Sequence, residues 1–177
     1  MIEAGQRLML KVEFVLASLA AACLLAVMGI VFVDVGARYF MNSPLAWSYE
    51  LIGMYLMPAL FYLSLSDTLA DHHHIAVDLL RSRMSDRLVR VVEIIGCGAM
   101  CALFLLIVWI HLQSAVHDLR TGAVTMGVIE WPAWVPAALV VVGSTAIALR
   151  LLGRALGHLG SLATGRPLIA LPAIVEV

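Results

Sequence analysis

The sequence predicts an all-α membrane protein with four transmembrane helices and a short amphipathic helix at the cytoplasmic interface. Of its 177 residues, 63% are hydrophobic and only 13% are charged. In a soluble domain about 45–50% of the residues are apolar and about 25% are charged. Four stretches contain no charged residue at all: 14–33, 51–66, 94–110 and 131–149. Because a helix needs about 20 mostly apolar residues to cross the hydrocarbon layer, each stretch is long enough to form most of one crossing.

The distribution of Lys and Arg predicts the orientation. We place the spans at about 12–36, 47–70, 88–115 and 131–153, within a membrane domain of residues 1–165, followed by a tail at 166–177. Nine basic residues lie in the N-terminal segment, the second connection and the C-terminal segment, and the other two connections have only Arg38 and Arg120. Basic residues favour the cytoplasmic side. We therefore expect both termini in the cytoplasm. The net charge of −1 gives no basic excess for binding nucleic acid.

The first two spans and their connection have local signals. The first apolar run continues to Val33, longer than the roughly 7–15 residues of a signal-peptide core, so we expect a retained span. Asn42-Ser43-Pro44 predicts a turn, because Pro44 disfavours helix in the residue before it. Trp47 is typical of an aromatic anchor at the headgroups. Pro58 predicts a kink in the second span.

The second connection predicts a helix lying along the cytoplasmic interface. Its apolar residues recur at steps of three and four, while arginines occupy the other faces; these apolar residues are Val77, Leu80, Met84, Leu88 and Val91. Ser85 and Asp86 are good N-cap residues, so we expect the third span to begin near residue 86. The fourth span opens at Trp131-Pro132, with Trp134 again at a membrane interface.

No residue pattern indicates catalysis or cofactor binding. Asp71 precedes His72, His73 and His74, but consecutive residues of a helix point in different directions and no four-ligand set is completed. We therefore expect a polar cap rather than a metal site. Cys97 and Cys101 lie on one face of one helix, where we expect buried thiols. The acidic residues border the spans, whereas ion-coupled carriers usually keep one at membrane depth. We therefore expect that this chain does not contact a transported solute.

Three segments resemble the small membrane (Q-type, DctQ-like) subunit of tripartite ATP-independent periplasmic (TRAP) transporters. They are residues 38–51, RYFMNSPLAWSYEL; residues 74–80, HIAVDLL; and Gly122 and Thr125, followed by Pro-Ala-Trp at 132–134. Members of the family commonly have two acids after the tryptophan, whereas Tyr49 here precedes a single acid. The resemblance implies a structural or partner-binding role for Arg38, Pro44, Trp47, Glu50, Asp78 and Trp134.

The resemblance also implies a function. In this family a periplasmic binding protein captures a small solute, often a carboxylate, and a large membrane subunit imports it using an ion gradient. The small subunit pairs with the large one in the bacterial inner membrane and extends its static scaffold. The alternative is a stand-alone four-span carrier or the membrane anchor of a redox complex. Neighbouring genes for a large permease and a secreted binding protein would favour the TRAP interpretation.

The first connection carries the most specific hypothesis. Asp34 and Arg38 are four residues apart, a spacing that lets them face each other on a helix. Glu50 opens the second span, where an acid complements the helix dipole. The short turn allows Glu50 to lie near Arg38 as well. Two interpretations stay open: a solvated surface pair that contributes about 0–1 kcal/mol, or a pair, shielded by Trp47 and Pro44, that fixes the shape recognised by the large subunit or the binding protein.

Overall fold

The computed structural model is all-helical in the part of the chain that it describes, residues 2–70 and 86–164, with side chains described for 11–65 and 88–161. Helix α1 is Ile2–Met41, α3 is Asp86–Thr121 and α4 is Trp134–Thr164. Helix α2 consists of three consecutive stretches, Ser48–Glu50, Leu51–Leu56 and Met57–Ala70. Within the described ranges the only strand-like feature is an isolated bridge between Val124 and Pro132.

Three of the helices are long and apolar enough to cross a membrane: Lys11–Met41, Leu88–Thr121 and Trp134–Ser161. The shortest has 28 residues, about 42 Å of helix at 1.5 Å per residue, against a hydrocarbon layer of about 30 Å. This confirms, at three of the four predicted places, helices long and apolar enough to span a membrane. The second predicted span is helical from 48 to 70. Its regular α-helical stretch Met57–Ala70 has 14 residues, fewer than the roughly 20 that a crossing needs. The predicted interfacial helix at 77–84, the three histidines and Asp78 lie outside the described residues.

Helix α2 contains a wider helical turn just before its proline. Residues Leu51–Leu56 form a π-helix, and the Met57 N–H donates to the Ile52 carbonyl, five residues back. Pro58 has no N–H to donate, and its ring clashes with the carbonyl four residues earlier in a regular α-helix. A π-turn at this point relaxes that clash. The irregularity predicted at Pro58 therefore takes the form of a wider turn on its N-terminal side.

Helices α1 and α3 are each followed directly by a residue in the left-handed conformation. Asn42 has φ of 50° and Gly122 has φ of 64°. After α1, the Ser43 N–H donates to the Ala37 carbonyl, and after α3 the Ala123 N–H donates to the Asp118 carbonyl, at 3.0 Å. These bonds satisfy carbonyls that a helix end otherwise leaves without a partner. The turn predicted at Asn42-Ser43-Pro44 is therefore present.

Helix α4 contacts each of the other three helices. Against α3 it forms an apolar cluster of Cys97, Cys101, Phe104, Ile147, Ala148, Leu151 and Ala155. Cys97 and Cys101 are each 7% exposed, which confirms the prediction of buried thiols. Against α2, Gly143 lies so close that a β-carbon there would meet the Tyr62 backbone carbonyl. Small residues thus let α2 and α4 approach closely.

Candidate partner interface at the hairpin end

Both connections that the structure describes lie at the same end of the bundle. We call this the hairpin end and define it as residues 34–50 and 122–134. The Tyr55 hydroxyl donates to the Pro132 carbonyl at 2.8 Å, and the Val128 N–H donates to Glu50 Oε1 at 3.1 Å. The first and third connections of the chain are therefore joined to one another through the beginning of α2.

Asp34 organises the first connection. Its Oδ2 accepts from Arg38 Nη2 at 2.9 Å, which confirms that the two residues face each other. Its Oδ1 accepts from the Leu45 N–H at 2.7 Å. Asp34 is buried, so both of its bonds are partly shielded from water, and each is strengthened by the carboxylate charge. The carboxylate thereby fixes the turn to the last turns of α1.

Arg38 also binds the beginning of α2. Its Nη2 donates to the Tyr49 hydroxyl at 3.0 Å. About half of the Arg38 side chain is exposed, so the guanidinium both closes the hairpin and remains accessible to a partner. Ser48 adds a further bond, because its hydroxyl donates to the Leu45 carbonyl at 2.7 Å.

Glu50 does not pair with Arg38, so that part of the first-connection hypothesis is wrong. Its carboxylate instead accepts from Val128 and lies against Gly127, so close that a β-carbon at Gly127 would meet the carboxylate oxygens. The physical reason is helical geometry. Consecutive helical residues point about 100° apart, so once Tyr49 faces Arg38, Glu50 faces the other connection.

The α3–α4 connection is held by its own backbone bonds. Thr125 N–H donates to the Trp131 carbonyl at 2.8 Å, and Trp131 N–H donates back to the Thr125 hydroxyl at 3.2 Å. The Trp131 ring packs against Tyr55, with 5.9 Å between ring centroids. The sequence did not single out Tyr49, Tyr55 or Gly127 as functional residues, although Gly127 and Tyr49 both lie within or beside segments that carried the resemblance.

The remaining predicted residues occupy separate places. Pro44 is exposed in the turn and Trp47 is half-buried where α2 begins. Trp134 is the first residue of α4 and is 36% exposed. The structure therefore brings Arg38, Pro44, Trp47 and Glu50 to the first connection and Trp134 to the other connection at the same end. Asp78 lies outside the described residues.

A buried ion pair lies at the opposite end of the bundle. Arg150 of α4 pairs with Glu13 of α1, and the two side chains are 19% and 3% exposed. Sequence reasoning missed this pair, because nothing in local spacing connects the first helix with the last. The acid does border the span, as the sequence indicated, but its charge is used inside the protein.

The contacts described above join helices and connections to one another. At the hairpin end Asp34 and Arg38 bind each other and Glu50 binds the Val128 backbone, whereas Glu130 is exposed; no group of three potential metal ligands occurs among the described residues. In its described part the fold is therefore an all-helical protein with three helices able to span a membrane and with one end closed by hydrogen bonds between its connections.

Comparison with known proteins identifies the family. The family model of the DctQ component of tripartite ATP-independent periplasmic transporters matches residues 27–160, a range that contains the whole hairpin end. The chain belongs to this family, which is a family of transporter components. No curated protein and no solved structure matches the chain.

Proposed function

We propose that the chain is the small permease subunit of a TRAP transporter. It pairs with the large membrane subunit and serves as scaffold for ion-gradient-driven uptake of a small carboxylate, which a periplasmic binding protein delivers. The observation that carries the proposal is the family match over residues 27–160. The internal neutralisation of Asp34, Arg38, Glu13 and Arg150 supports a scaffold role, because these charges are already used in holding the helices together.

The proposal includes a fourth span. The helical run 48–70 packs against both α1 and α4, and at 1.5 Å per residue its 23 positions reach about 35 Å, enough to cross a hydrocarbon layer of about 30 Å. Four crossings put both termini on the same side of the inner membrane, and the distribution of Lys and Arg favours the cytoplasm for that side and the periplasm for the hairpin end.

Cysteine-accessibility labelling tests this topology. Single cysteines at Asn42 and Gly122 should react with a membrane-impermeant maleimide added to intact spheroplasts, whereas cysteines at Arg83 and Arg166 should react only after permeabilisation. A cysteine at Arg83 that reacts in intact spheroplasts would contradict four crossings with a cytoplasmic N-terminus.

Co-purification tests the partner. A tag on a large TRAP subunit encoded beside this chain should recover the chain from detergent-solubilised membranes. Arg38→Glu, which breaks the contacts to Asp34 and Tyr49, should reduce recovery. Arg120→Glu reverses another exposed positive charge, one that does not contact Asp34 or Tyr49, and should leave recovery unchanged. Full transport by the large subunit and binding protein without this chain would refute the scaffold role.

Solute competition tests the expectation that the chain does not contact the solute. Changing His72, His73 and His74 together to Ala should leave the order of preference among competing carboxylates unaltered, and the purified variant should bind as much zinc as the parent. A changed order of preference, or loss of stoichiometric zinc, would contradict this part of the proposal.

A further inference from the structure

The α3–α4 connection exposes apolar side chains at its tip, residues 126–129, which we call the loop tip. Met126 is completely exposed and Val128 is 64% exposed, and Ile129 is exposed beside them. No residue from 121 to 129 is charged. A contiguous exposed apolar surface of this kind generally marks a site of interaction.

The loop tip cannot bury these side chains by folding back. The bridge between Val124 and Pro132 and the bonds between Thr125 and Trp131 close its base. The bond from Val128 N–H to Glu50 fixes its middle against α2. The bonds that hold the loop are made by its backbone, Thr125 and Glu50. The side chains of Met126, Val128 and Ile129 take no part in them and stay exposed.

The position of the loop tip matches the headgroup layer of a bilayer. Its anchor Glu50 adjoins Trp47 and Tyr49, and Trp131 and Trp134 follow it in sequence; Trp and Tyr concentrate at this level in membrane proteins. The closed base leaves residues 126–130 as the loop. Because the chain must run outward and return within these residues, at about 3.3 Å per residue, the loop extends at most about 10 Å from its base. The headgroup layer on each side is itself about 5–8 Å thick. The loop tip thus lies at the level of Glu50, at the boundary of the second predicted span, and is separated along the chain from the apolar part of α3 by Asp118 and Arg120.

From these observations we propose that the loop tip inserts into the interface of the phospholipid bilayer at the hairpin end. Its occupant is the boundary between headgroups and acyl chains, where exposed apolar side chains are favoured. The Glu50–Val128 bond then has a second role, because it holds Met126 and Val128 at the depth where lipid surrounds them. This membrane contact does not depend on which solute or partner subunit the chain serves.

Depth-dependent fluorescence quenching tests the proposal on the full chain. Cys23, Cys97 and Cys101 are first replaced by Ala, and Met126→Cys, Val128→Cys and, as the matched control on the same connection, Glu130→Cys are each labelled with the fluorophore NBD. The proteins are reconstituted into vesicles of equal parts phosphatidylethanolamine and phosphatidylglycerol, with and without the large subunit. Spin-labelled lipid quenches from the bilayer, and iodide, equilibrated across the vesicles by freezing and thawing, quenches from water.

We expect spin-labelled lipid to quench positions 126 and 128 about threefold more than position 130, and iodide to show the reverse order. Equal iodide quenching at all three positions would overturn the proposal, because the loop tip would then face water. Loss of both kinds of quenching at 126 and 128 when the large subunit is present would also overturn it, since the loop tip would then be a protein contact. Circular dichroism of each labelled protein verifies that its helix content equals that of the cysteine-free parent.

Discussion

Replacing Glu13 by Gln removes the negative charge that faces Arg150 and leaves the guanidinium enclosed without its counter-ion. The Glu13 and Arg150 side chains are 3% and 19% exposed in the intact protein. Removing one member of a buried ion pair costs about 3–5 kcal/mol, because the remaining charge stays away from water. Since Arg150 retains some access to solvent, we expect the lower figure, a loss of about 3 kcal/mol in the free energy of unfolding.

The size of the effect follows from comparing single and double variants. Glu13→Gln should destabilise the protein by about 3 kcal/mol, equivalent to a fall in Tm of about 6–12 °C for a chain of this length. Arg150→Gln leaves the more deeply buried member of the pair and should cost at least as much. The double variant leaves no buried charge and places two amides together. It should lose far less than the sum of the singles, with a coupling of at least about 2 kcal/mol.

The free energy of unfolding is measured in detergent micelles by raising the proportion of a denaturing detergent reversibly. Circular dichroism monitors the loss of helix. Arg120→Gln is the matched control, since Arg120 is exposed and its loss should change stability by less than about 0.5 kcal/mol. The reasoning from burial would be refuted if the single variants were as stable as this control. It would also be refuted if the double variant lost as much free energy of unfolding as the two single variants together.

Three further predictions concern other contacts. Gly143→Ala should destabilise the bundle by about 1–3 kcal/mol because its β-carbon meets a backbone carbonyl of α2, while Gly153→Ala, with open space around it, should gain about 0.5–1 kcal/mol from helix propensity; a Tm comparison in micelles checks both, and equal shifts would contradict the close approach. The charge exchange Asp34→Arg with Arg38→Asp should recover part of the complex that either single variant loses, measured by co-purification, and no recovery would assign the effect to the Leu45 contact instead. Tyr55→Phe should cost about 1 kcal/mol through the lost bond to the Pro132 carbonyl and should increase proteolysis of the α3–α4 connection; unchanged proteolysis would show that this bond does not restrain the connection.

Local patterns were sufficient to predict the helices and the contacts within one helix. Charge-free runs located α1, α3 and α4, because the length of a crossing is set by the bilayer rather than by packing. The four-residue spacing of Asp34 and Arg38 predicted their contact, and the positions of Cys97 and Cys101 predicted their burial.

Contacts between distant parts of the chain were not predictable in this way. Glu50 had two neighbours within reach, Arg38 and the α3–α4 connection, and spacing alone could not choose between them. The choice depends on which side of α2 Tyr49 occupies, and therefore on the π-turn that follows and on the packing of Tyr55 against Trp131. The Glu13–Arg150 pair requires the relative placement of α1 and α4, for which hydrophobic periodicity carries no signal.

The Glu13–Arg150 contact also constrains how the protein is made. The acid belongs to α1 and the base to α4, so ribosomal synthesis separates them by roughly 7–27 s at about 5–20 residues per second. During that interval the carboxylate lies at the edge of a newly inserted helix without its counter-ion. Association of α1 with the bundle at this end is therefore completed only after α4 has entered the membrane, which makes the final helix the step that closes the assembly.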